Sequence, residues 1–496
     1  MQPNNKNNLP PCQRAAAATA LLLAALLASG NADAQPLPPQ PLSAAPAANM
    51  APPAQQARFR AIYKELVEIN TTDSVGSCTN AAKAMAAHLK RGGYADSDLH
   101  ILVHPGNPTK GNLVARLKGT GEKKPLLLLA HMDVVEAKRE DWTRDPFKLI
   151  EENGIFYARG SSDDKAMAAA FVSNMIRYKE DKLTPKRDII LALTCDEEII
   201  PSKFSGIDYL LKNHRSLIDA ELALNEGGGG ALDKNEKPVS YHLQIGEKVF
   251  VTYQLEVTNP GGHSARPVRD NAIYHLADGL SRLGNFDFPI AFNPTTRTYF
   301  ERLAKIEGDP KVAADMRAML TSPTDTATLE RLYAVNPSYN STLRTTCVAT
   351  MVDAGHATNA LPQRARATVN CRILPGESVD EVQKTIVRVL ADDKIKVSPT
   401  GEAMLSPPPP LSPTVLQAVE STVTDMWPGV PVIPTMLVAT TDGRFLNNLG
   451  IWTYGLGAFA GVEGSGIHGL NEHIRVKSLD EGHELLYRVG KKLAAQ

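Results

Sequence analysis

Five histidine or acidic residues each follow a short apolar run, and this recurrence constrains the fold more than any other feature of the chain. They are His131 in LLLLAHMD, Asp163 in ARGSSDD, Glu198 in LTCDEE, Glu226 in LALNEGGGG and His468 in GSGIHGLNEH. Two neutral imidazoles and three carboxylates can hold a pair of divalent, zinc-like ions when one carboxylate bridges the two. The pattern therefore predicts a two-metal hydrolase.

Length and charge exclude several other classes of protein. The chain has 496 residues, which is too long for one ordinary domain. Of these residues 43% are hydrophobic, which is enough to form a large core. Its formal net charge is -1, so there is no basic field that would attract nucleic acid. A nearly neutral chain suits small neutral or zwitterionic substrates better than it suits nucleic acid.

The first 34 residues have the pattern of a signal peptide. Arg14 precedes an apolar stretch from Ala15 to Ala28, and Ala32-Asp33-Ala34 offers a small-x-small cleavage site. The stretch is shorter than the roughly 20 residues of a membrane span, so we expect no stable span, with an uncleaved anchor as the less favoured alternative. Cleavage near Ala34 would deliver a periplasmic or secreted protein. Residues 35–58, rich in Pro and Ala, are predicted to be a flexible leader.

Cysteine spacing indicates neither a metal scaffold nor a disulfide framework. Cys12 would leave with the signal peptide, and Cys78, Cys195, Cys347 and Cys371 show no CxxC spacing. An oxidising compartment would still permit one or two disulfides.

Residues 59–245 alternate helix-like stretches with short apolar runs, which predicts an α/β domain with a mostly parallel sheet. The predicted strands include residues 125–130, 189–194 and 220–224. In such sheets ligands gather beyond the carboxyl ends of the strands, and His131, Glu197, Glu198 and Glu226 each follow one. Groups on separate loops are therefore expected to converge.

A smaller βαβαβ module, an α+β lid and dimerisation domain, is predicted over residues 246–400. Strict alternation from Val249 to Val257 indicates a strand buried on one face. A helix over 270–283, a strand over 364–373, a helix that starts at the S-x-x-E motif of Ser378 and ends near Leu390, and a strand over 395–397 follow. The α/β pattern returns over 401–496, so the catalytic domain is discontinuous. Residues 289–345 are predicted to form a polar, mostly helical insertion, and the sequence does not indicate its function.

Each motif alone has a structural alternative. His131 and Asp133 in an HxD pair are often just hydrogen-bonded structural residues. As a metal site, the same pair makes chemical sense because Asp133 can orient the outer nitrogen of His131. Adjacent acids such as Glu197 and Glu198 often form a solvated helix start, but they can also divide metal binding and proton transfer between them.

The other two motifs are equally ambiguous when taken singly. Asp163 and Asp164 can cap the helix that follows them, and His468 can be an ordinary loop residue among glycines. The joint occurrence of all the motifs in this order favours the metal interpretation.

These residues carry a family resemblance that covers nearly all of the chain after the leader. The series HMDVVE, W-x-x-x-PF, ARGSSDDK, DEE, NEGG, NPGGHSARP, NCRILPG and IHGLNEH resembles the dinuclear-zinc amidohydrolases and exopeptidases of the aminoacylase, carnosine dipeptidase, succinyl-diaminopimelate desuccinylase and carboxypeptidase S family. The resemblance implies two divalent ions, most often Zn²⁺, with Co²⁺ or Mn²⁺ as alternatives.

The resemblance also assigns the ligands. It implies one metal between His131 and Glu226, a second between Glu198 and His468, and Asp163 as the bridge. Glu197 matches the general base and Asp133 the orienting carboxylate in the family pattern.

Further positions match the family's substrate-binding groups. His263 matches a residue that stabilises the oxyanion and that in many relatives comes from the partner subunit, so the resemblance implies a homodimer. Arg372 matches an arginine that grips a substrate carboxylate; its fork suits that task, although a surface arginine on a strand is the commoner alternative. Asn359 and the loop around Gly443 match regions that line the substrate pocket.

Three positions depart from the usual family pattern without removing a ligand. Ala166 and Ile199 stand where glycine is common, and Glu136 stands where proline is common. These changes lie near the expected pocket rim and obscure the choice of substrate.

We therefore expect a metal-dependent exopeptidase, of dipeptidase or carboxypeptidase type, that acts on small peptides with a free carboxylate. The alternative within the same chemistry is an N-acyl-amino-acid amidohydrolase. A non-catalytic receptor on this fold would be expected to have lost ligands, and a solute-binding protein would have no need of the HxD, DEE and terminal histidine motifs.

Overall fold

The computed structural model describes residues 49–496, so the predicted signal peptide and residues 35–48 of the leader lie outside the described residues. The described residues contain these α-helices: α1 Pro53–Glu68, α2 Cys78–Arg91, α3 Lys165–Glu180, α4 Gly206–Asn213, α5 Arg215–Ile218, α6 Ala272–Gly284, α7 Pro294–Leu303, α8 Pro310–Thr321, α9 Thr326–Val335, α10 Pro337–Leu343, α11 Val379–Leu390, α12 Pro413–Met426, α13 Gly443–Asn447 and α14 Val476–Ala495. Helix α1 begins before Phe59, so its first turns belong to a segment that the sequence predicts to be leader.

The strands, in chain order, are β1 Leu99–Val103, β2 Gly111–Leu117, β3 Leu126–His131, β4 Ile150–Glu152, β5 Ile155–Tyr157, β6 Ile189–Thr194, β7 Leu222–Asn225, β8 Gly229–Leu232, β9 Pro238–Glu247, β10 Val249–Thr258, β11 Gly262–His263, β12 Thr346–Ala354, β13 Ala360–Leu361, β14 Arg364–Ile373, β15 Lys396–Pro399, β16 Val432–Leu437, β17 Trp452–Gly455, β18 Phe459–Ala460 and β19 His473–Arg475. A ten-stranded sheet has the order β1-β2-β6-β3-β7-β17-β9-β8-β18, with β16 paired to β9. Strands β6, β3, β7 and β17 are parallel neighbours at its centre.

Both faces of the central strands are covered by helices, as expected of the parallel part of a sheet. Leu126 and Leu128 of β3 point into a core shared with α1, α2, α3, α12 and α14. The alternate residues Leu127 and Leu129 point into a second core shared with α4 and α13. This double burial explains why LLLLAH is continuously apolar. It confirms the predicted α/β class with a mostly parallel sheet.

A separate four-stranded antiparallel sheet of order β12-β14-β10-β15 follows. The alternation predicted for β10 is observed: Val251, Tyr253 and Leu255 are buried against residues of α6 and α11 such as Leu276 and Ile386. The ten-stranded sheet ends at Glu247 and the four-stranded sheet begins at Val249, so the chain changes sheet at Lys248. The sequence places the domain division at 245/246. The strand β12 at the edge of this sheet was not predicted, so the βαβαβ description lacks one strand.

The insertion over 289–345 is helical, as the sequence predicts. Its helices α7 to α10 enclose a small core of their own, formed by residues such as Phe300, Met316 and Leu332. No helix among residues 49–496 is both long and apolar enough to cross a membrane.

All four cysteines of the described residues are paired. Cys78 at the start of α2 is bonded to Cys195, which follows β6. Cys347 of β12 is bonded to Cys371 of β14, its direct cross-strand neighbour. The spacing of the cysteines had not indicated this pairing, because neither bond joins residues that are close in sequence.

Candidate metal centre and active site

The predicted ligands meet at the carboxyl ends of the central parallel strands. His131 is the last residue of β3, Glu198 lies in the loop after β6, and Glu226 directly follows β7. Asp163 lies in the loop before α3, and His468 lies in the loop between β18 and β19. Since β3 pairs in parallel with both β6 and β7, three of these groups leave the sheet at the same edge.

Asp163 lies between the two histidines and faces each with a different carboxylate oxygen. Its Oδ1 is 3.0 Å from Nε2 of His131, and its Oδ2 is 3.3 Å from Nε2 of His468. Glu226 lies 3.8 Å from His131, and Glu198 lies 2.8 Å from His468. The side chains thus form two ligand groups, His131–Asp163–Glu226 and Asp163–Glu198–His468, that share one aspartate. This is the donor set of the predicted two-ion site, so the residues fit the ions.

The charges of this cluster are unbalanced without a cation. Burial raises the pKa of Glu226 well above its usual value, and the negative charge of Asp163 raises it further. Burial alone would lower the pKa of His131, but hydrogen bonds with Asp133 and Asp163 and the charge of Glu226 outweigh it and raise that pKa. Hydrogen bonds with Asp163 and Glu198 raise the pKa of His468 to about 10. A divalent cation would relieve this crowding of buried carboxylates.

Glu197 is buried beside the ligands, and its Oε1 has no hydrogen-bond partner within the described part of the chain. Burial raises its pKa well above the usual value, although the positive charges of His131 and Arg444 act in the opposite direction. Nη1 of Arg444 is 3.8 Å from this oxygen. No helix starts at the Glu197-Glu198 pair, which removes the solvated-helix alternative. An unpaired carboxylate at this position can accept a proton.

Asp133 contacts the ligand groups through its backbone as well as its side chain. Its carbonyl oxygen is 3.0 Å from Nδ1 of His131, whereas its carboxylate is 3.6 Å from the same nitrogen. Oδ2 of the carboxylate accepts a hydrogen bond from the backbone N–H of Glu198 at 3.0 Å. Asp133 therefore links ligands from both halves of the site. The helix-cap alternative for Asp164 finds no support, since its side chain makes no capping hydrogen bond to α3.

The sequence reasoning missed Glu472, which holds the loop of Asp163 in place through hydrogen bonds. This fully buried carboxylate accepts hydrogen bonds from the backbone N–H groups of Gly160, Ser162 and Asp163, and from the guanidinium of Arg159. Glu472 belongs to the IHGLNEH motif, which was the available signal. Its partners lie more than 300 residues earlier in the chain, at sequence separations of 309 to 313, so no local pattern could identify them.

A cavity of about 420 Å³ opens on the ligand groups. Asp163, Glu197, Glu198, Glu226 and His468 all line it, which places the predicted base and most of the predicted ligands on one surface. Away from them the walls are mainly apolar and include Met167 of α3, Leu437 of β16, Phe459 of β18, and Leu479 and Leu486 of α14. The volume and lining are typical of a small-molecule site.

The remaining predicted site residues are not among those that line this cavity in the described chain. His263 is exposed in β11, which pairs with β13 next to Asn359. Arg372 lies over the ring of Phe250 at 4.7 Å, and burial together with the charge of Arg444 lowers its pKa. Gly443 starts α13 and is buried; its neighbours Thr440 and Thr441, rather than Gly443 itself, reach the cavity.

The sheet is mostly parallel, and at its carboxyl edge histidines and carboxylates are grouped around one shared aspartate. This combination defines the class of metal-dependent α/β hydrolases. The chain belongs to peptidase family M20/M25/M40, whose model matches residues 127–492. It is 31% identical over 368 residues to the N-fatty-acyl-amino acid synthase/hydrolase PM20D1 of Mus musculus, covering 72% of this chain and 71% of that one. It is 29% identical over 393 residues to the probable carboxypeptidase S-like 2 of Dictyostelium discoideum, covering 77% of this chain and 74% of that one.

Two solved structures share the fold. The M20 family metallo-carboxypeptidase Sso-CP2 from Sulfolobus solfataricus matches with a TM-score of 0.66 and 20% identity, over 88% of this chain and 99% of that one. Human carnosine dipeptidase 1 matches with a TM-score of 0.62 and 18% identity, over 89% of this chain and 97% of that one. These findings confirm the predicted family, the fold and a hydrolase of a metal-dependent family.

Proposed function

We propose that this protein hydrolyses the amide bond of N-acyl amino acids whose acyl group is extended and apolar. The observation that carries the proposal is the apolar cavity that opens on Asp163, Glu198 and Glu226. An acyl chain would bury its surface against Met167 and Leu486, and each buried methylene contributes about 0.8 kcal/mol. The relatives named N-fatty-acyl-amino acid synthase/hydrolase support this choice.

A second candidate function is cleavage of small peptides with a free carboxylate. The carboxypeptidase S-like relatives support it, and the same ligand set serves both reactions. The two candidates differ in what fills the cavity. A small peptide would leave most of the apolar wall uncovered, which is why we rank the acyl substrate first.

Two divalent ions, Zn²⁺ by preference, would be held by His131 with Glu226, by Glu198 with His468, and by Asp163 between them. When bound, such ions lower the pKa of a water molecule and polarise the amide carbonyl. Glu197 accepts the proton of the attacking water on its carboxylate and returns it to the leaving amine. Water thus adds across the C–N bond to give a carboxylic acid and a free amino acid. Asp133 and Glu472 keep the ligand loops in place.

A homodimer would complete the site. His263 is exposed and outside the cavity of its own chain, so a second copy is the proposed source of the residue that stabilises the oxyanion, a contribution of about 3 kcal/mol. Strand β12 supports a contact between copies, because it lies at the edge of its sheet and exposes Val348, Met351 and Val352. Sedimentation velocity tests this proposal, and a monomer at all concentrations would contradict it.

Export from the cytoplasm is also proposed. The two disulfides support it, since such bonds persist in oxidising compartments and are rare in the cytosol. The N-terminal residue of the exported protein, read by mass spectrometry, tests the expected cleavage near Ala34.

The main experiment measures metal content by elemental analysis together with turnover of matched N-acyl amino acids and dipeptides, before and after chelation. About two ions per chain and chelator-sensitive release of amino acids from long-chain N-acyl substrates are expected. Cleavage of dipeptides alone would favour the second candidate. No metal and no turnover would refute both.

A variant with a narrower cavity distinguishes the acyl substrate from the peptide substrate. Ala170 lines the cavity from α3, four residues beyond Ala166, and Ala170→Leu would narrow it. We expect kcat/KM for a long-chain substrate to fall at least about tenfold while that for the N-acetyl analogue changes little. Leu486→Ala, which widens the same cavity, is the matched variant and should shift the preference towards longer chains. Equal effects on both substrates would contradict the acyl site.

A further inference from the structure

His483 of α14 is a buried polar residue in the apolar part of the cavity. The residue is among those that line the cavity, and it is only 1% exposed. One face of its ring stacks on Phe59 with centroids 4.1 Å apart. Within residues 49–496, neither ring nitrogen has a hydrogen-bond partner.

An imidazole in this position is costly for stability. A buried donor or acceptor without a partner costs about 1–3 kcal/mol, and an apolar side chain of similar size would avoid that cost. Nothing in the packing against Phe59 requires a nitrogen. The two nitrogens are therefore better explained by a group that enters the cavity than by the fold.

The ring is neutral, which restricts the kind of group it can bind. Burial, with the charges of Arg177 and Arg58, lowers the pKa of His483 to about 3. A neutral imidazole offers one N–H donor and one acceptor nitrogen on different edges of the ring, and a hydroxyl group, which is both donor and acceptor, can pair with whichever nitrogen it meets. Both arginines are already paired, Arg177 with Glu484 and Arg58 with Glu180, so neither is free to bind an anionic group.

We propose that His483 is a specificity-determining residue that binds a hydroxyl group carried on the acyl chain of the substrate. The inference rests on the proposed function, because it places the acyl chain along the apolar wall between the metal ligands and α14. The amide end would lie at Glu197 and Asp163, the methylenes against Leu479 and Leu486, and the hydroxyl at the imidazole. The preferred substrates would be hydroxylated N-acyl amino acids.

The test measures binding, so that it does not depend on turnover. Calorimetry on the metal-loaded full chain compares a plain fatty acid with a series that carries one hydroxyl, moved along the chain carbon by carbon. At one position we expect the hydroxylated acid to bind about fivefold more tightly than the plain one, which is the effect of one net hydrogen bond. His483→Leu should abolish this preference and bind the plain acid at least as well as the wild type.

Two further variants serve as controls for this binding experiment. His483→Gln keeps a neutral donor and acceptor and should retain part of the preference, whereas His483→Met should lose it like His483→Leu. A histidine with only a structural role would change the stability of these variants without changing the ratio of the two affinities. A wild type that shows no preference at any position, or a preference that persists in His483→Leu, would overturn the inference.

The turnover of N-acyl amino acids is measured in parallel on the same preparations. If no N-acyl amino acid is cleaved, the proposed function fails, while a preference in binding that depends on His483 would still stand. If plain chains are cleaved but no hydroxyl is preferred, only the role of His483 fails.

Discussion

Glu197 lines the cavity beside the ligand groups, and one of its carboxylate oxygens is buried without a hydrogen-bond partner in the described chain. We expect Glu197→Ala to lower kcat by about 10²- to 10⁴-fold, because the proton of the attacking water loses its acceptor. The ions should remain bound, since the metal ligands are other residues. Metal analysis and steady-state kinetics on one preparation check both points. A variant with a near-native rate would refute the role of Glu197 as the base.

Arg372 extends from the half-buried face of β14, opposite the buried Cys371 and Ile373, as its strand alternation predicts. Arg372 lies outside the lining of the cavity, and its contact with a substrate carboxylate is what the family resemblance implies. On that assignment we expect Arg372→Ala to raise KM by about tenfold or more for substrates with a free carboxylate, because a charge-assisted hydrogen bond is lost. Arg366→Ala is the matched control, since Arg366 lies on the same face of β14 but pairs with Glu256. Equal losses on a methyl ester of the substrate would contradict carboxylate recognition by Arg372.

His483 should also affect how stability depends on pH. Its pKa is lowered in the folded state to about 3 from a usual 6.5, so the unfolded chain binds a proton that the folded chain resists, and stability falls as the pH drops from 6.5 towards 3. Over that whole window the loss is on the order of 5 kcal/mol. His483→Leu has no such group and should lose less stability between pH 7 and 4.5. Urea unfolding of the chelated proteins at both pH values measures the difference, and parallel pH dependences would contradict it.

At the residue scale, the sequence predicted which residues form the two ligand groups, because each stands next to a recognisable strand or glycine-rich loop. It could not predict Glu472, Arg444 or His483, whose importance depends on burial and on partners far away in the chain. Asp133 shows the same limit. The HxD spacing predicted contact with His131, but the division of labour between its carbonyl and its carboxylate depends on where Glu198 lies.

At the scale of the elements, the Cys78–Cys195 disulfide links the start of α2 to the residue that follows β6, next to the site. It closes a sequence separation of 117 residues. Cys195 lies two residues before Glu197 in the chain. We expect Cys78→Ala with Cys195→Ala to cost about 5 kcal/mol of unfolding free energy through loss of loop closure, and to lower kcat because the Glu197 loop loses its anchor. Urea unfolding and steady-state kinetics measure the two effects.

The Cys347–Cys371 disulfide is the matched control, with a separation of 24 residues. Cys347→Ala with Cys371→Ala should cost less, about 3.5 kcal/mol, since a shorter loop is released. It should also leave kcat closer to that of the wild type, because β12 and β14 do not contribute to the ligand groups. A larger loss of kcat from this pair than from the first would contradict the anchoring role of Cys195.

Strands with strong periodicity were predicted well, and weak ones were not. Residues 189–194 and 364–373 were predicted with the bounds of β6 and β14. Strand β12 was missed because its residues are mostly exposed and show no apolar alternation. Strands β4, β5 and β19 are three residues each, too short to show a period.

At the scale of the whole molecule, the ligand groups connect segments that are distant in sequence. The discontinuous domain brings His468 from near the end of the chain to Glu198 and Asp163, and the apolar runs alone could not show that these segments meet. The resemblance to a known family supplied that arrangement, whereas the shape of the cavity required the packing of α3 against α14.

Because the ions would join these segments only in the folded chain, they should stabilise the whole molecule. Metal at about 100 times its dissociation constant contributes about 2.7 kcal/mol, and it also relieves the repulsion among Asp163, Glu198 and Glu226. We expect Tm to rise by a few degrees when Zn²⁺ is added to the chelated protein, and to rise further with concentration. His468→Ala, which removes a ligand from one group only, should retain part of this increase. Differential scanning calorimetry measures it, and a Tm that is the same with chelator and with metal would contradict the two-ion site.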